Sequence, residues 1–248
     1  MTGDLLARTV ERIDRCEDVK SLWAVVRETA DAFGFEGVSY EFTRFGVLLG
    51  RAKAELYEES FATCWQEEDA EEIALLRDVV FRRAYVDAAP FSWSELPHLP
   101  WVDGMSRDVA SAIARCGRPI LTVPVSGPHV RHGYFAFVSP EGHVLDRYRK
   151  RVLQLIAHVI HLRWTEIDES SGLPETPLTP RERSVLGWLA RGKSNPEIAD
   201  ILGIAPSTID TYVRRIYGKF GVHDRVTAAI IASALGLLHD PSTRPSTP

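Results

Sequence analysis

Cysteine and methionine are both scarce: Cys16, Cys64 and Cys116 are the only thiols, and there are two methionines in 248 residues. The cysteines lie far apart and form no C-x-x-C pair, which excludes a disulfide framework. Buried or idle thiols in a reducing compartment are the expected reading, with a redox switch as the alternative. No apolar run approaches the length of about eighteen residues that a membrane-spanning helix requires. The first residues, MTGDLLARTVERIDRCED, carry acids in their first turns and no apolar stretch ahead of a cleavage site, so they do not read as a signal peptide. A cytoplasmic location is expected. Also missing are a glycine-rich phosphate loop, an H-E-x-x-H, a G-x-S-x-G and any cluster with metal-ligand spacing, so no catalytic residue, cofactor or metal is assigned. His129, His132 and His143 fall in or beside turns and read as solvated imidazoles. The acids Glu67, Glu68, Asp69, Glu71 and Glu72 read as a wet helix face.

Basic charge is in short supply as well. A net charge of -5 and a pI near 5.9 exclude a generally basic nucleic-acid coat. The deficit is uneven, however: residues 177 to 238 hold eight Lys/Arg against five Asp/Glu, whereas the residues before 177 hold twenty against twenty-eight. An acidic part joined to a mildly basic one is the asymmetry expected when only one part meets DNA.

The length suits two domains with separate cores. From the start, helices are expected over 5–16 and 19–33, the second with Leu22, Val25, Val26, Thr29 and Phe33 in a stripe and Gly34 closing it. Val38 to Thr43 alternates as a strand does. Residues 54–76 read helical, and after Pro90, Pro97 and Pro100 another helix is expected over 107–116. Strands follow over 120–125 and 133–138, then one long helix over 144–164 with Leu145, Tyr148, Val152, Leu155, Ile156 and Val159 on one face. Residues 168–177, DESSGLPETP, read as a linker, and the tail after His239 as disordered. The expected fold class is α+β: an N-terminal α/β/α sandwich with an antiparallel sheet over 1–167 and a C-terminal all-α four-helix domain over 178–238.

Within 178–238 the second and third helices read as a helix-turn-helix. Thr179, Pro180 and Glu182 open the first helix with an N-cap hydroxyl, a proline at N1 and an acid at N3; Ser194 and Glu197 repeat the device. Gly203 breaks the second helix, and the third starts near Pro206. There Ile209, Val213, Ile216 and Phe220 make the apolar face. Ser207, Thr208, Thr211, Arg214, Arg215 and Lys219, with Lys193 before the second helix, are the candidate DNA contacts. Arginine forks onto guanine or phosphate, and hydroxyls reach phosphate oxygens. Charge alone fits a solvated helix face equally well.

The order of residues is more specific. Leu178, Thr179, Arg181, Glu182, Leu186, Trp188, Ala190, Gly192, Lys193, Glu197, Ile198, Ala199, Leu202, Thr208, Lys219, Gly221, Val222 and Arg225 stand in the register of the DNA-binding domain that ends LuxR-type regulators, which this segment resembles. One departure is Ala205, where that family has a capping serine; Ser207 with Asp210 is an alternative start for the helix. The resemblance implies an inverted-repeat operator bound by a homodimer, with the final helix, 225–235 after an Asp224 cap, as the contact near DNA. RNA polymerase is a further partner that it allows.

In the first domain the informative residues are Trp65, Asp78, Phe91 and Trp93. An indole N–H donates to a carbonyl, a carboxylate accepts from an amide, and aromatics wall an apolar cavity, a set that suits a small amphiphile. Each alone is also an ordinary core or cap residue. Their spacing resembles the autoinducer-binding domain of the same family. The resemblance implies that Trp65 donates to the lactone carbonyl of an acyl-homoserine lactone and that Asp78 accepts its amide N–H. By approximate alignment it also puts the Ser139 hydroxyl at the polar head. Phe61 and Asp69 stand where the family has tyrosines, Val79 replaces a proline and Ile120 a glycine. The expected function is a ligand-responsive transcriptional regulator. Two alternatives are kept: the same regulator with a non-lactone signal or none, and a response regulator driven by phosphorylation, which needs a parallel βα receiver.

Overall fold

The computed structural model describes residues 2–42, 55–59, 70–127, 131–168, 178–234 and 236–237. The described residues up to Asp168 form one compact unit and those from Leu178 a second. The first unit opens with α1 (Thr2–Asp14) and α2 (Val19–Phe33). Asp18 caps α2 by accepting from the Ser21 N–H at 2.7 Å, and Gly34 ends it at φ 84°. The stripe expected from the sequence is the buried one: Leu22, Val25, Val26, Thr29 and Phe33 all lie in the interior.

Five strands follow: β1 (Gly37–Phe42), β2 (Glu55–Glu59), β3 (Phe91–Ser92), β4 (Ile120–Gly127) and β5 (Arg131–Val138). They form one antiparallel sheet in the order β2-β1-β5-β4-β3. The helix expected over 54–76 is corrected here: 55–59 is a strand, and the helix, α3, spans Ala70–Val86. Glutamate-rich sequence favours helix locally, but 55–59 pairs along the edge of β1, from Phe42 opposite Glu55 to Val38 opposite Glu59, and sheet context overrides a weak propensity.

Every residue of β1 is buried. The alternation over 38–42 therefore separates two interiors rather than core from water. On one face Tyr40, Phe42, Val123, Phe135 and Phe137 pack with α1, α2 and α5 (Arg147–Ile167). On the other, Phe91, Ile120, Tyr134, Ala136 and Val138 pack with α3, a 3-10 helix (Trp93–His98) and α4 (Ser106–Cys116). The result is the expected α/β/α sandwich. Its antiparallel sheet is not the parallel βα repeat of a phosphorylation receiver.

Helix α5 starts at Arg147 because Asp146 caps it, accepting from the Arg149 N–H at 2.8 Å. Its inner face is Val152, Leu153, Ile156, Ala157, Ile160, His161 and Trp164. Tyr148 and Leu155, expected on that face, are exposed; burial follows a stripe turned by part of a turn from the one the sequence suggests. Buried aromatics tie α5 to the sheet: Tyr40 stacks on Phe135 at 4.3 Å and meets Trp164 edge-on at 4.8 Å.

In the second unit the helices are α6 (Pro180–Ala190), α7 (Asn195–Leu202), α8 (Pro206–Phe220) and α9 (Arg225–Ala234), within a residue of the sequence expectation. Val185, Leu186, Trp188 and Leu189 of α6 are buried, as are Ile198 of α7, Ile209, Ile216 and Phe220 of α8, and Ala228 and Ile231 of α9. The linker beyond Asp168 and the tail after His239 lie outside the described residues.

Candidate functional site

The geometry of α8 is set by the turns on either side of it. Thr179 and Glu182 form a complete capping box on α6, with the Thr179 N–H donating to Glu182 at 2.8 Å and the Glu182 N–H to the Thr179 hydroxyl at 3.3 Å. Ser194 and Glu197 do the same for α7, and bonds from Ser194 and Lys193 hold the Glu197 carboxyl down to about 2. Gly203 takes the left-handed conformation at φ 65° that closes α7 and lets the chain turn into α8. Ala205 is the N-cap of α8, extended and without a side-chain cap bond, so Ser207 does not start the helix.

With Ile209, Ile216 and Phe220 buried, helical phase leaves Ser207, Thr208, Thr211, Arg214 and Arg215 exposed along the opposite side. Among the described residues neither Arg214 nor Arg215 makes an ion pair. Thr211 donates its hydroxyl proton to the Ser207 carbonyl at 3.0 Å. Asp210, on the same side, accepts from the Asn195 side-chain amide at 2.7 Å, which ties α8 to α7. Lys193 pairs with Glu197 at 3.0 Å, and its carbonyl accepts from Arg225 at the start of α9.

Lys219 has another role from the one its phase suggests. Its ammonium lies 2.7 Å from Glu182, a carboxylate that is almost wholly buried, and so joins the end of α8 to the start of α6. Burial raises the Glu182 carboxyl, but the bonds from Lys219 and Thr179 outweigh it and hold the group below its ordinary value. The structure thus gives Lys219 an internal partner where the sequence reading assigned it to DNA. Nothing in the local sequence links positions 182 and 219; the packing of α6 on α8 does.

Among the described residues, those expected at the signal site do not all converge. Trp65, Phe61 and Asp69 lie outside the described residues. Phe91 and Trp93 are buried on the α3/α4 side of the sheet, and the Trp93 indole N–H donates to the Thr122 hydroxyl at 2.9 Å. Ser92 and Glu95 form a capping box that fixes the turn carrying this tryptophan. Asp78 is exposed. Leu76, Val79 and Val80 turn inward from α3, and 100° per residue carries Asp78 to the outer side, so it is not placed to meet a buried amide. Ser139 also departs from expectation. It follows the last residue of β5 and lines a cleft of about 190 Å³ with Phe35, Leu121, His143 and Leu145. Tyr134, Ala136 and Val138 face the Trp93 side, so the two-residue strand period turns Ser139 away from it.

The sequence reading missed a buried polar cluster on that same side. Glu41 of β1 accepts two bonds from the Arg77 guanidinium of α3, at 2.9 and 3.1 Å, and one from the Tyr134 hydroxyl at 2.6 Å. Burial first, and then the Glu41 charge, raise the Tyr134 phenol well above its ordinary value, so it remains a donor. Alternation alone would put Glu41 on the polar side of a strand; a sheet covered on both faces makes it interior.

Two family models cover most of the chain. The autoinducer binding domain matches residues 18–164, and the luxR family of bacterial regulatory proteins matches residues 176–232. The chain belongs to the LuxR family of regulators. Among its relatives is y4qH of Sinorhizobium fredii, an HTH-type transcriptional regulator by name, 28% identical over 94% of this chain and 73% of that protein. The quorum-sensing regulator RhlR of Pseudomonas aeruginosa is 24% identical over 89% of this chain and 91% of its own length. In fold the chain is similar to SdiA of Escherichia coli, with a TM-score of 0.73 over 95% of this chain and 98% of SdiA at 20% identity. SdiA has also been solved in complex with octanoyl-rac-glycerol. As a LuxR-type regulator the chain carries an autoinducer-binding domain and a helix-turn-helix DNA-binding domain. Among the described residues no helix is long and apolar enough to cross a membrane.

Proposed function

We propose that the first unit binds an acyl-homoserine lactone or a similar small amphiphile and that the second binds an inverted-repeat operator as a homodimer in the cytoplasm, with transcription by RNA polymerase as the output. The observation that carries the DNA half is the face of α8 on which Ser207, Thr208, Thr211, Arg214 and Arg215 stand exposed, with both arginines outside any ion pair among the described residues. Cations kept off internal carboxylates are available to phosphates and base edges. Lys193 is assigned to phosphate at the edge of this face. One recognition helix reads only a few base pairs, so a two-fold pair spanning half-sites about one helical turn apart supplies the specificity. Val226 and Ile230, one turn apart and exposed on α9, support that helix as the contact between copies. Footprinting on a selected operator tests this; protection of a single half-site by a monomer would overturn it.

A second reading keeps the regulator and changes the signal. The outward Asp78 favours it, since the acceptor that the family resemblance implies for a lactone amide is not in the interior. The SdiA complex with octanoyl-rac-glycerol is an instance of a LuxR-type fold holding an amphiphile that is not a lactone. Ligand-dependent thermal stabilisation across lactones and acylglycerols separates the two.

A further inference from the structure

The start of α5 concentrates positive charge where a helix tolerates it least. Arg147, Arg149, Lys150 and Arg151 fall within its first five residues, and its first turn holds no acid. Peptide dipoles already make a helix N-terminus positive, and like charges three and four residues apart repel, so both effects oppose this arrangement. Arg149 turns back to the body of the unit, donating to the Phe33 carbonyl at 3.4 Å and lying over the Phe33 ring. Arg147, Lys150 and Arg151 share one face, at i, i+3 and i+4, and make no ion pair among the described residues. Nearby carboxylates are engaged elsewhere: Asp146 accepts from the Arg149 N–H, Asp87 from Arg83 and the Ala89 N–H, and Glu95 from the Ser92 N–H. Glu141, in the exposed turn after Ser139, pairs with none of the three cations.

The three cations line a cleft. Between them and Ala89 and Pro90 lies a space of about 290 Å³. Lys150 also lines the cleft of about 190 Å³ beside Ser139, where Phe35, Leu121 and Leu145 supply an apolar wall. The segment facing α5 is held in place: the Gln154 side-chain amide donates to the Ala88 carbonyl at 2.6 Å, and the Ala89 N–H donates to Asp87 at 2.9 Å. Ser139 is fixed through its backbone, its N–H donating to the Pro119 carbonyl at 2.8 Å. It is 6% exposed, and its hydroxyl has no hydrogen-bond partner among the described residues. Buried hydroxyls are normally satisfied, so one left open on the wall of a cationic cleft calls for an acceptor from outside the chain.

We propose that this cleft binds a phosphorylated small molecule, with the phosphate on Arg147, Lys150 and Arg151 and the organic part against Phe35, Leu121 and Leu145, where the Ser139 hydroxyl donates to one of its oxygens. A phosphate monoester brings a charge approaching two and three acceptor oxygens to one point, which suits three cations within one turn of helix. Arginine forks onto such a group through paired N–H donors, and lysine meets it as a point charge. An acidic peptide instead spreads its charge along an extended chain. Phe35, Leu121 and Leu145 belong to the α1/α2/α5 side of the sheet, so this cleft is distinct from the interior beside Trp93. The first unit thereby gains an anion site in addition to any place it has for an uncharged signal.

Calorimetry on the full-length chain without DNA tests this with phenyl phosphate, inorganic phosphate, benzoate and hexaglutamate at matched ionic strength. Phenyl phosphate binds the wild type at one site per chain, about tenfold or more tighter than benzoate. It also binds more tightly than inorganic phosphate, because its ring adds apolar contact. Arg147→Gln/Lys150→Gln/Arg151→Gln weakens it about tenfold or more. Ser139→Ala weakens it about threefold or more, and carries the test if the triple variant folds poorly. Arg214→Ala/Arg215→Ala, which changes cations of the other unit, stays within about twofold of the wild type. A loss confined to Arg214→Ala/Arg215→Ala puts the phosphate on the DNA-binding face and overturns the proposal. Tighter binding of hexaglutamate than of phenyl phosphate makes the cleft a peptide site and overturns it too. Equal binding of benzoate, or failure of both phosphates to bind the wild type, does the same.

Discussion

Replacing Lys219 by alanine distinguishes an internal tether from a DNA contact. The ammonium is 2.7 Å from Glu182, whose side chain is 3% exposed against 30% for the lysine. Stripping the partner from a fully buried charge costs about 3–5 kcal/mol. Here Glu182 retains donors from the Thr179 N–H at 2.8 Å and the Thr179 hydroxyl at 3.0 Å, and Lys219 is partly solvated. The expected loss therefore falls to about 2 kcal/mol, which is about thirtyfold in the opening equilibrium of α6 and α8. Amide hydrogen exchange across 209–220 reads that factor locally, without requiring the whole chain to unfold in one step. The effect has a defined pH dependence. Because the folded Glu182 carboxyl lies below its unfolded value, the stabilisation is full above the ordinary carboxylate range and is lost as pH falls through the lowered value. The wild-type and alanine proteins should thus converge in acid. On DNA, the slope of log affinity against log salt should stay unchanged. Unaltered exchange combined with a slope reduced by about one would mean that Lys219 meets a phosphate and that the tether is the wrong account.

Other variants address the remaining elements. Arg214→Ala and Arg215→Ala should each weaken operator binding; whichever reads a base costs about 1–3 kcal/mol and relaxes preference at one position, and wild-type affinity in both would show that the groove face is misassigned. Lys193→Ala should weaken all duplexes evenly and lower the salt slope; a change confined to one operator position would contradict its assignment to phosphate. Ala205→Ser should supply the absent cap on α8 and stabilise the second unit by about 1 kcal/mol, read as slower exchange in α8; no gain would place the helix start elsewhere. Burial holds the His161 imidazole, which shares a proton with Tyr40 at 2.6 Å, down to about 4 from 6.5. The unfolded chain therefore binds the proton first: stability is full above 6.5 and declines toward 4, by up to about 3 kcal/mol. A urea midpoint for the first unit that does not fall between pH 7 and pH 5 would contradict this.

The second unit was almost wholly legible from sequence. Its helices carry their own boundaries, with Thr179 and Ser194 in capping boxes and Gly203 and Gly221 in the left-handed conformation, so local chemistry alone marks where each begins and ends. The sandwich was legible in class, but its edge was not. Residues 55–59 have no strand signal of their own and become a strand because β1 offers an edge. At the candidate sites, phase arguments worked where one face is wet, as on α8. They fail where both sides are covered: alternation alone would put Glu41 on a wet face, and strand parity turns Ser139 away from the Trp93 side to which the resemblance assigns it. The Glu182–Lys219 pair was invisible for a different reason. It joins two helices far apart in sequence, and each residue has an ordinary local reading.

Selection of duplexes from a randomised pool by the full-length chain, with N-octanoyl-homoserine lactone or 1-octanoyl-glycerol present or absent, tests the central claim most directly. The account predicts enrichment of an inverted repeat with half-sites about one helical turn apart, loss of that enrichment in Arg214→Ala/Arg215→Ala, and a yield that changes with at least one of the two amphiphiles. A pool that returns no common sequence, or a yield indifferent to both amphiphiles with the chain folded, would contradict it.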